Sequence, residues 1–274
     1  MSYAREQPEI DSARTDNEVP ALSGVSLTRR FGGLLAVDDV NLAVPTRVIA
    51  GIIGPNGAGK TTLLNLLSGA VPPSSGRVLL GKTDITQANA TSRAAVGVRR
   101  TFQNIKLFTQ MTVLDNILVG QHVQTRGWVL GGVLRGPAVR RAELAARQRA
   151  HQVLDDIGLR CAPEALAGSL SYGDQRRLEM ARALAAAPKV VLLDEPAAGL
   201  NSAEKARTAE LIASLPSQFE LSVLIVEHDM DLIRNTCSHV TVLDYGHVLC
   251  EGPPTTVLRD QRVIDAYLGT GDEP

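Results

Sequence analysis

The chain has 274 residues, 44% of them hydrophobic and 21% charged, with 28 Lys and Arg against 29 Asp and Glu. Those figures describe a globular chain with a sizeable core, and they exclude a disordered chain or one drawn by bulk charge to nucleic acid. No apolar run nears the roughly 18 residues of a membrane-spanning helix, and Cys161, Cys237 and Cys250 form no Cys-x-x-Cys pair for zinc.

Residues 1–20 are polar, carry Pro8 and Pro20, and are read as a tail with no secretory h-region. From Val25 to Val44 short apolar segments around Gly32-Gly33 predict a hairpin-like β layer. VIAGII, Val48 to Ile53, is a buried strand that runs straight into GPNGAGKT and the helix KTTLLNLLSG. Leu63, Leu64, Leu66 and Leu67 give that helix its packing face, and Gly69 is its stop.

From 104 to 168 helical patterns dominate, notably AVRRAELAARQRAHQVLDDIGL, interrupted by GWVLGGVLRGP. This reads as a helical lobe inserted into the first domain, with Arg135 to Arg149 its solvated face. The stretch LSYGDQRRLEMARAL opens with Ser171 as N-cap and Asp174 three residues on, the pattern of a capping box. Strand KVVLLD, a helix near Ser202 to Leu215, strand SVLIVEH and the strand-like HVTVLDYGHVLCEG follow. Strands alternating with helices predict a mainly parallel sheet covered on both faces.

The strongest local signal is GPNGAGKT, which fits G-x-x-x-x-G-K-[ST] with Gly54, Gly59, Lys60 and Thr61 at the fixed positions and Pro55, Asn56, Gly57 and Ala58 between them. Glycines let the backbone wrap phosphate oxygens with its N–H groups, the helix dipole favours the anion, Lys60 reaches the β- and γ-phosphates, and the Thr61 hydroxyl binds Mg²⁺. Asp194, at the C-terminal end of VVLLD, is placed to orient the Mg²⁺ shell, and Glu195 to polarise an attacking water. His228 in VEHD and Gln103 in TFQN stand at similar junctions; alone, each reads more often as a satisfied structural residue.

In this order the stretches resemble the ATP-binding cassette family over residues 22 to 270: Walker A at Gly54 to Thr62, Q-loop at Gln103, signature at Leu170 to Gln175, Walker B at Val190 to Glu195, D-loop at Ala198 to Asn201, and a switch histidine at His228. The resemblance implies a P-loop NTPase (RecA-like) α/β fold. Its mixed, mainly parallel sheet would carry an antiparallel β subdomain and an α-helical subdomain inserted at about 104–186, all within one ATPase domain at 21–270, with a second tail at 271–274. It implies ATP and Mg²⁺ as ligands, Thr61, Asp194 and Gln103 around the metal, and Lys60, Glu195, His228 and Gln103 at the reacting phosphate. Phe31 would stack on adenine, or simply pack, with Val37 nearby.

Two cassettes of this family pack head to tail, so the resemblance also implies that Ser171 and the Gly173 N–H contact the γ-phosphate of nucleotide on a second cassette. Two helix starts suited to phosphate in one chain then make sense, because each serves a different nucleotide. Departures are plain: Tyr172 and Asp174 replace a glycine and the glutamine of the common Leu-Ser-Gly-Gly-Gln, and Asn201 stands where aspartate is usual. YGDQRRLEMARAL, EPAAGLN, VEHDM, TFQNIKLF and VIDAYLG look like the ATPases of branched-chain amino-acid uptake, LivG-type branch. The partners implied are a second cassette (homotypic, or a LivF-type paralogue by preference), permease subunits, and through them a solute-binding protein. No nucleic acid is implied, and the place is the cytoplasmic face of the membrane. Urea or amide uptake, lipid export and a non-transport cassette remain alternatives. A GTPase is disfavoured by the lack of Asn-Lys-x-Asp.

Overall fold

The computed structural model describes residues 19–101, 105–121 and 137–268. The expected tails at 1–18 and 271–274, most of GWVLGGVLRGP, Gly269 and Gln103 lie outside the described residues.

Two sheets sandwich one helix. The first is antiparallel, in the order β2-β1-β4-β5, with β1 Leu22–Phe31, β2 Leu34–Val44, β4 Ser75–Leu80 and β5 Thr83–Asp84. The second has the order β10-β9-β3-β8-β7-β6, from β3 Ile49–Ile53, β6 Val98–Arg100, β7 Val190–Asp194, β8 Ser222–Val226, β9 His239–Asp244 and β10 His247–Gly252. All its pairings are parallel except β9–β10. β3, β7 and β8 are buried at every residue, as strands covered on both faces must be.

Alternation along those strands feeds two cores. Ala50, Ile52, Leu192, Leu224 and Val226 face helix α1, Lys60–Ser68, whose four leucines also meet Leu22, Leu27, Val40 and Val78 of the antiparallel sheet. Ile49, Ile53, Val191, Leu193, Val223 and Ile225 face the other way. They share one cluster with residues of α3 Val113–Gln121, α4 Pro137–Asp156, α5 Tyr172–Leu184 and α6 Ser202–Phe219.

Three differences from the sequence expectation have physical causes. α6 runs past Leu215 and through Pro216, because Thr208, Leu211, Ile212 and Leu215 hold a buried face that Phe219 continues. HVTVLDYGHVLCEG is a hairpin, folded at Tyr245 and Gly246 with φ of 43° and 83°, the paired left-handed residues of a tight two-residue turn. Between Gly69 and Thr101, where nothing was predicted, lie β4, β5, β6 and the short α2, Ala90–Val96.

The anchor of that unpredicted region is Arg93. It is fully buried and donates to the carbonyls of Leu66, Leu67, Thr86 and Ala88, at 2.5, 2.9, 2.9 and 2.9 Å. Two of these acceptors end α1, so a cation sits on the negative pole of the helix that carries the glycine loop. Arg93→Met would take the guanidinium donors from four carbonyls, the two at the end of α1 in buried bonds. At about 3 kcal/mol, thermal unfolding should drop by roughly 6–12 °C; a shift under about 2 °C would show that water replaces the guanidinium.

Candidate functional site

β3 delivers the chain into a loop that only glycine can complete at two points. Gly54 has φ 149°, and a Cβ on it would lie 2.1 Å from the Leu243 carbonyl oxygen; Gly59 has φ 97°, and its Cβ would lie 2.4 Å from that of Ala36. The backbone is therefore pressed against β9 and β2. Ala58 O accepts from Gly246 N–H at 3.1 Å and Gly246 O from Asp38 N–H at 2.9 Å, which fastens the loop to the β9–β10 turn. Gly59 is the α1 N-cap and supplies no side chain to the first-turn N–H groups, an arrangement suited to an anion. Lys60, 8% exposed, reaches back across the loop and donates to the carbonyls of Gly54 at 2.7 Å and Pro55 at 2.8 Å. Burial lowers its pKa, and the Glu195 carboxylate opposes that shift. Asn56, Gly57 and Thr61 are exposed at the loop's mouth, with Thr62 half-buried.

The ends of β7 and β8 face this loop's strand through the parallel pairing of β3, β8 and β7. Asp194 is buried and paired with Arg100, Nη2 to Oδ2, at 2.8 Å. Arg100 also donates to Asn65 Oδ1 at 2.5 Å and Ser68 Oγ at 3.3 Å on α1. Sequence reading missed Arg100, although RTFQ places it three residues before Gln103. Glu195 follows with φ 47°, a left-handed conformation costly for such a side chain, and its N–H donates to Val226 O at 2.9 Å. Its Oε1 lies 3.6 Å from His228 Nδ1, with the imidazole half-exposed. A carboxylate and an imidazole so placed can share a proton or flank one transferring group.

The second helix start lies at α5. Ser171 is its N-cap: Oγ accepts from Asp174 N–H at 3.2 Å and donates to Asp174 Oδ2 at 2.9 Å. Asp174 thus folds back into the cap, and Arg177 lies 3.6 Å from its other oxygen. Tyr172 avoids positive φ and receives a hydrogen bond from Arg176 Nη2 at 3.0 Å. A Cβ on Gly173 would lie 2.9 Å from Glu204 Oε1, so the opening of α5 abuts that of α6. There Asn201 and Glu204 form a reciprocal capping box, which gives Asn201 a structural task an aspartate would share.

A family model described as ABC transporter matches residues 37–198, and one described as branched-chain amino acid ATP-binding cassette transporter matches 247–273. LivG of Escherichia coli (strain K12), a high-affinity branched-chain amino acid transport ATP-binding protein, is 44% identical over 91% of this chain and 98% of its own length. The chain belongs to the ABC transporter family. Among solved structures, the ADP conformation of MJ1267, an ATP-binding cassette of an ABC transporter, superposes with a TM-score of 0.77 at 29% identity, over 91% of this chain and 98% of that one. The dimeric post-hydrolysis state of the cassette MJ0796 bound to ADP and Pi gives 0.70 at 25% identity, over 85% and 98%. The fold of this cassette is accordingly that of the ABC ATPases, with the P-loop between β3 and α1.

Other expected residues of the cassette fall less simply. Phe31 ends β1, 44% exposed, and the Arg29 guanidinium covers one face of its ring at 4.6 Å, leaving a single face for a base. Val37 is completely buried in the core under α1, where the β2 alternation points it inward. Gln103 lies outside the described residues. One contact had no sequence signal at all. Gly54 N–H donates to the Tyr267 hydroxyl at 2.7 Å, across 213 positions, from α9, Gln261–Leu268. Burial raises the Tyr267 pKa, so this hydroxyl stays protonated at physiological pH. Tyr267→Phe should weaken nucleotide affinity about threefold, the effect of one neutral hydrogen bond near 0.5–1 kcal/mol, as read by titration with a fluorescent ATP analogue. Unchanged affinity would confine the bond to stability.

Proposed function

We propose that this cassette hydrolyses ATP to power uptake of branched-chain or other hydrophobic amino acids through a membrane permease. The observation that carries the chemistry is the Glu195–His228 pair, 3.6 Å apart, at the strand ends beside a loop whose Gly54 and Gly59 tolerate no Cβ. The observation that carries the solute class is the 44% identity to LivG along nearly the whole of both chains. Among the described residues no helix is long and apolar enough to cross a membrane, so translocation falls to other subunits.

In this proposal the backbone N–H groups of Gly57 to Thr62 and the Lys60 ammonium hold the triphosphate, and Phe31 stacks its exposed face on the base. The Thr61 hydroxyl and the Asp194 carboxylate form an all-oxygen donor set suited to Mg²⁺, with Gln103 as a further ligand. Arg100 occupies Asp194 Oδ2 and leaves Oδ1 for the ion. Bound there, Mg²⁺ supplies charge neutralisation at the phosphates. Glu195 accepts the proton of the attacking water, and His228 donates to a γ-phosphoryl oxygen.

The half-site at Ser171 and Gly173 completes the site of a second cassette, a LivF-type paralogue by preference. The cap geometry, with Asp174 turned into α5, keeps its carboxylate from repelling that phosphate. The surface from Ile105 to Phe108, where Phe108 is half-exposed and Asn116 pins the backbone by bonds of 2.9 and 3.0 Å, is the contact for the permease on the cytoplasmic face. Purification of the membrane complex with a panel of solute-loaded binding proteins tests the whole reading. ATPase stimulation by leucine-, isoleucine- or valine-loaded protein is expected; stimulation by a urea- or amide-loaded protein alone would overturn the solute class.

A further inference from the structure

Glu227 follows β8 directly with 1% exposure, and no cation lies in salt-bridge contact with it among the described residues. Its charge is instead spread over three backbone N–H groups. Oε1 accepts from Ala197 at 2.9 Å; Oε2 accepts from His228 at 3.0 Å and Asp229 at 3.3 Å. Ala197 is the second residue after Glu195, in the turn that leads to Asn201. One carboxylate therefore fastens the turn behind Glu195 to the loop that carries His228.

A second tie runs in parallel. Lys205, in the first turns of α6, contacts Asp229 Oδ2 at 2.8 Å, and each partner's pKa is moved by the other in the direction that keeps both charged. That pair is partly exposed and is worth little alone. Glu227 differs. A buried anion costs several kcal/mol unless hydrogen bonds offset it, and β8 would close equally well on an apolar side chain. Only a carboxylate can accept on both oxygens; glutamine presents an NH₂ to one of the two loops and leaves its N–H groups unmatched.

We infer that Glu227 is a positioning residue for ATP hydrolysis, holding the His228 imidazole in register with the Glu195 carboxylate by locking their two loops together. This inference rests on the ATPase reading proposed above. The lock does not touch the P-loop, so it acts on turnover and not on nucleotide binding. Because the turn from Ala197 to Asn201 also adjoins the opening of α5, a shift at that turn reaches His228 through Glu227 rather than through α6 alone.

The experiment compares the full chain with Glu227→Gln, His228→Ala and the double variant, measuring binding sites per chain with a fluorescent ATP analogue, KM, and kcat per binding site. Glu227→Gln should retain one site per chain and a KM within about twofold of the parent, with kcat per site reduced at least about tenfold, since misplacement of order 1 Å costs up to about 10²-fold. In the His228→Ala background the same change should cost less than about twofold, because the register it protects no longer matters. A purely structural role predicts fewer sites with unaltered kcat per site. If Glu227→Gln loses its binding sites, Glu227→Asp is read instead: it keeps the anion for the His228 loop but falls short of Ala197, and should lower kcat per site about threefold or more. Parental kcat per site in whichever variant binds, or a full loss retained without His228, overturns the inference and leaves the ATPase reading standing. A parent chain that hydrolyses no ATP even when assembled with its second cassette and permease overturns both.

Discussion

Glu195→Gln should bind MgATP as tightly as the parent and hydrolyse it about 10²–10⁴-fold more slowly, the usual worth of a positioned base. Shape is preserved by the change, and so is the environment that imposes φ 47° on this residue: the N–H bond to Val226 O and the carbonyl's bond from Ala198 N–H both belong to the backbone. What disappears is the ability to take a proton from water. The amide also turns an acceptor at 3.6 Å from His228 Nδ1 into a group that can face the imidazole with either end. Because Glu195 contributes to the charge balance at Lys60, a small change in affinity toward tighter binding is consistent with the assignment. Single-turnover hydrolysis with pre-bound nucleotide checks it directly. A variant that turns over at the parental rate would mean that the backbone strain at Glu195 serves packing, and that the base lies elsewhere.

Why some of this was legible in the chain and some not follows from the range of the interactions concerned. The P-loop announced itself because its requirements are local: an apolar strand, glycines at left-handed positions, then leucines at helical spacing. The cap at α5 was equally local: Ser171 is the N-cap its position suggested, while Asp174 meets the Ser171 hydroxyl where a capping box would use the Ser171 N–H. Arg100 and Glu227 carry no such mark. Their partners, Asp194 on the neighbouring strand and Ala197 beyond the next one, are set by sheet register, which a run of valines and leucines does not disclose. Tyr267 is more distant still, reaching Gly54 only because α9 closes over the start of the loop. The segments after Gly69 escaped notice for a different reason. β5 has two residues and β6 three, too short for periodicity, and the link from β5 to α2 is held by the fully buried Arg93 through the Thr86 and Ala88 carbonyls.

Lys60→Met should reduce ATP affinity about 10- to 150-fold, through loss of a charge-assisted contact worth roughly 1.5–3 kcal/mol and of the loop's own bracing. The ammonium now ties the carbonyls of Gly54 and Pro55, at 2.7 and 2.8 Å, so it stands inside the arc of the loop before any phosphate enters. Methionine fills a similar volume yet takes the ammonium donor from both carbonyls, leaving Pro55 O only the Ala58 N–H at 3.3 Å, in a site where Lys60 is only 8% exposed. Lys60→Arg is the sharper control. It keeps the charge, but the planar guanidinium is too broad to point between two carbonyls less than one turn apart, and a fork cannot replace a compact ammonium there. Both variants should therefore lose binding, the arginine one with its charge intact. Calorimetric titration with ATP separates the two ideas: near-parental affinity in Lys60→Arg would show that net charge alone governs the loop, whereas loss in both shows that the ammonium's geometry is what the glycine cradle was built around.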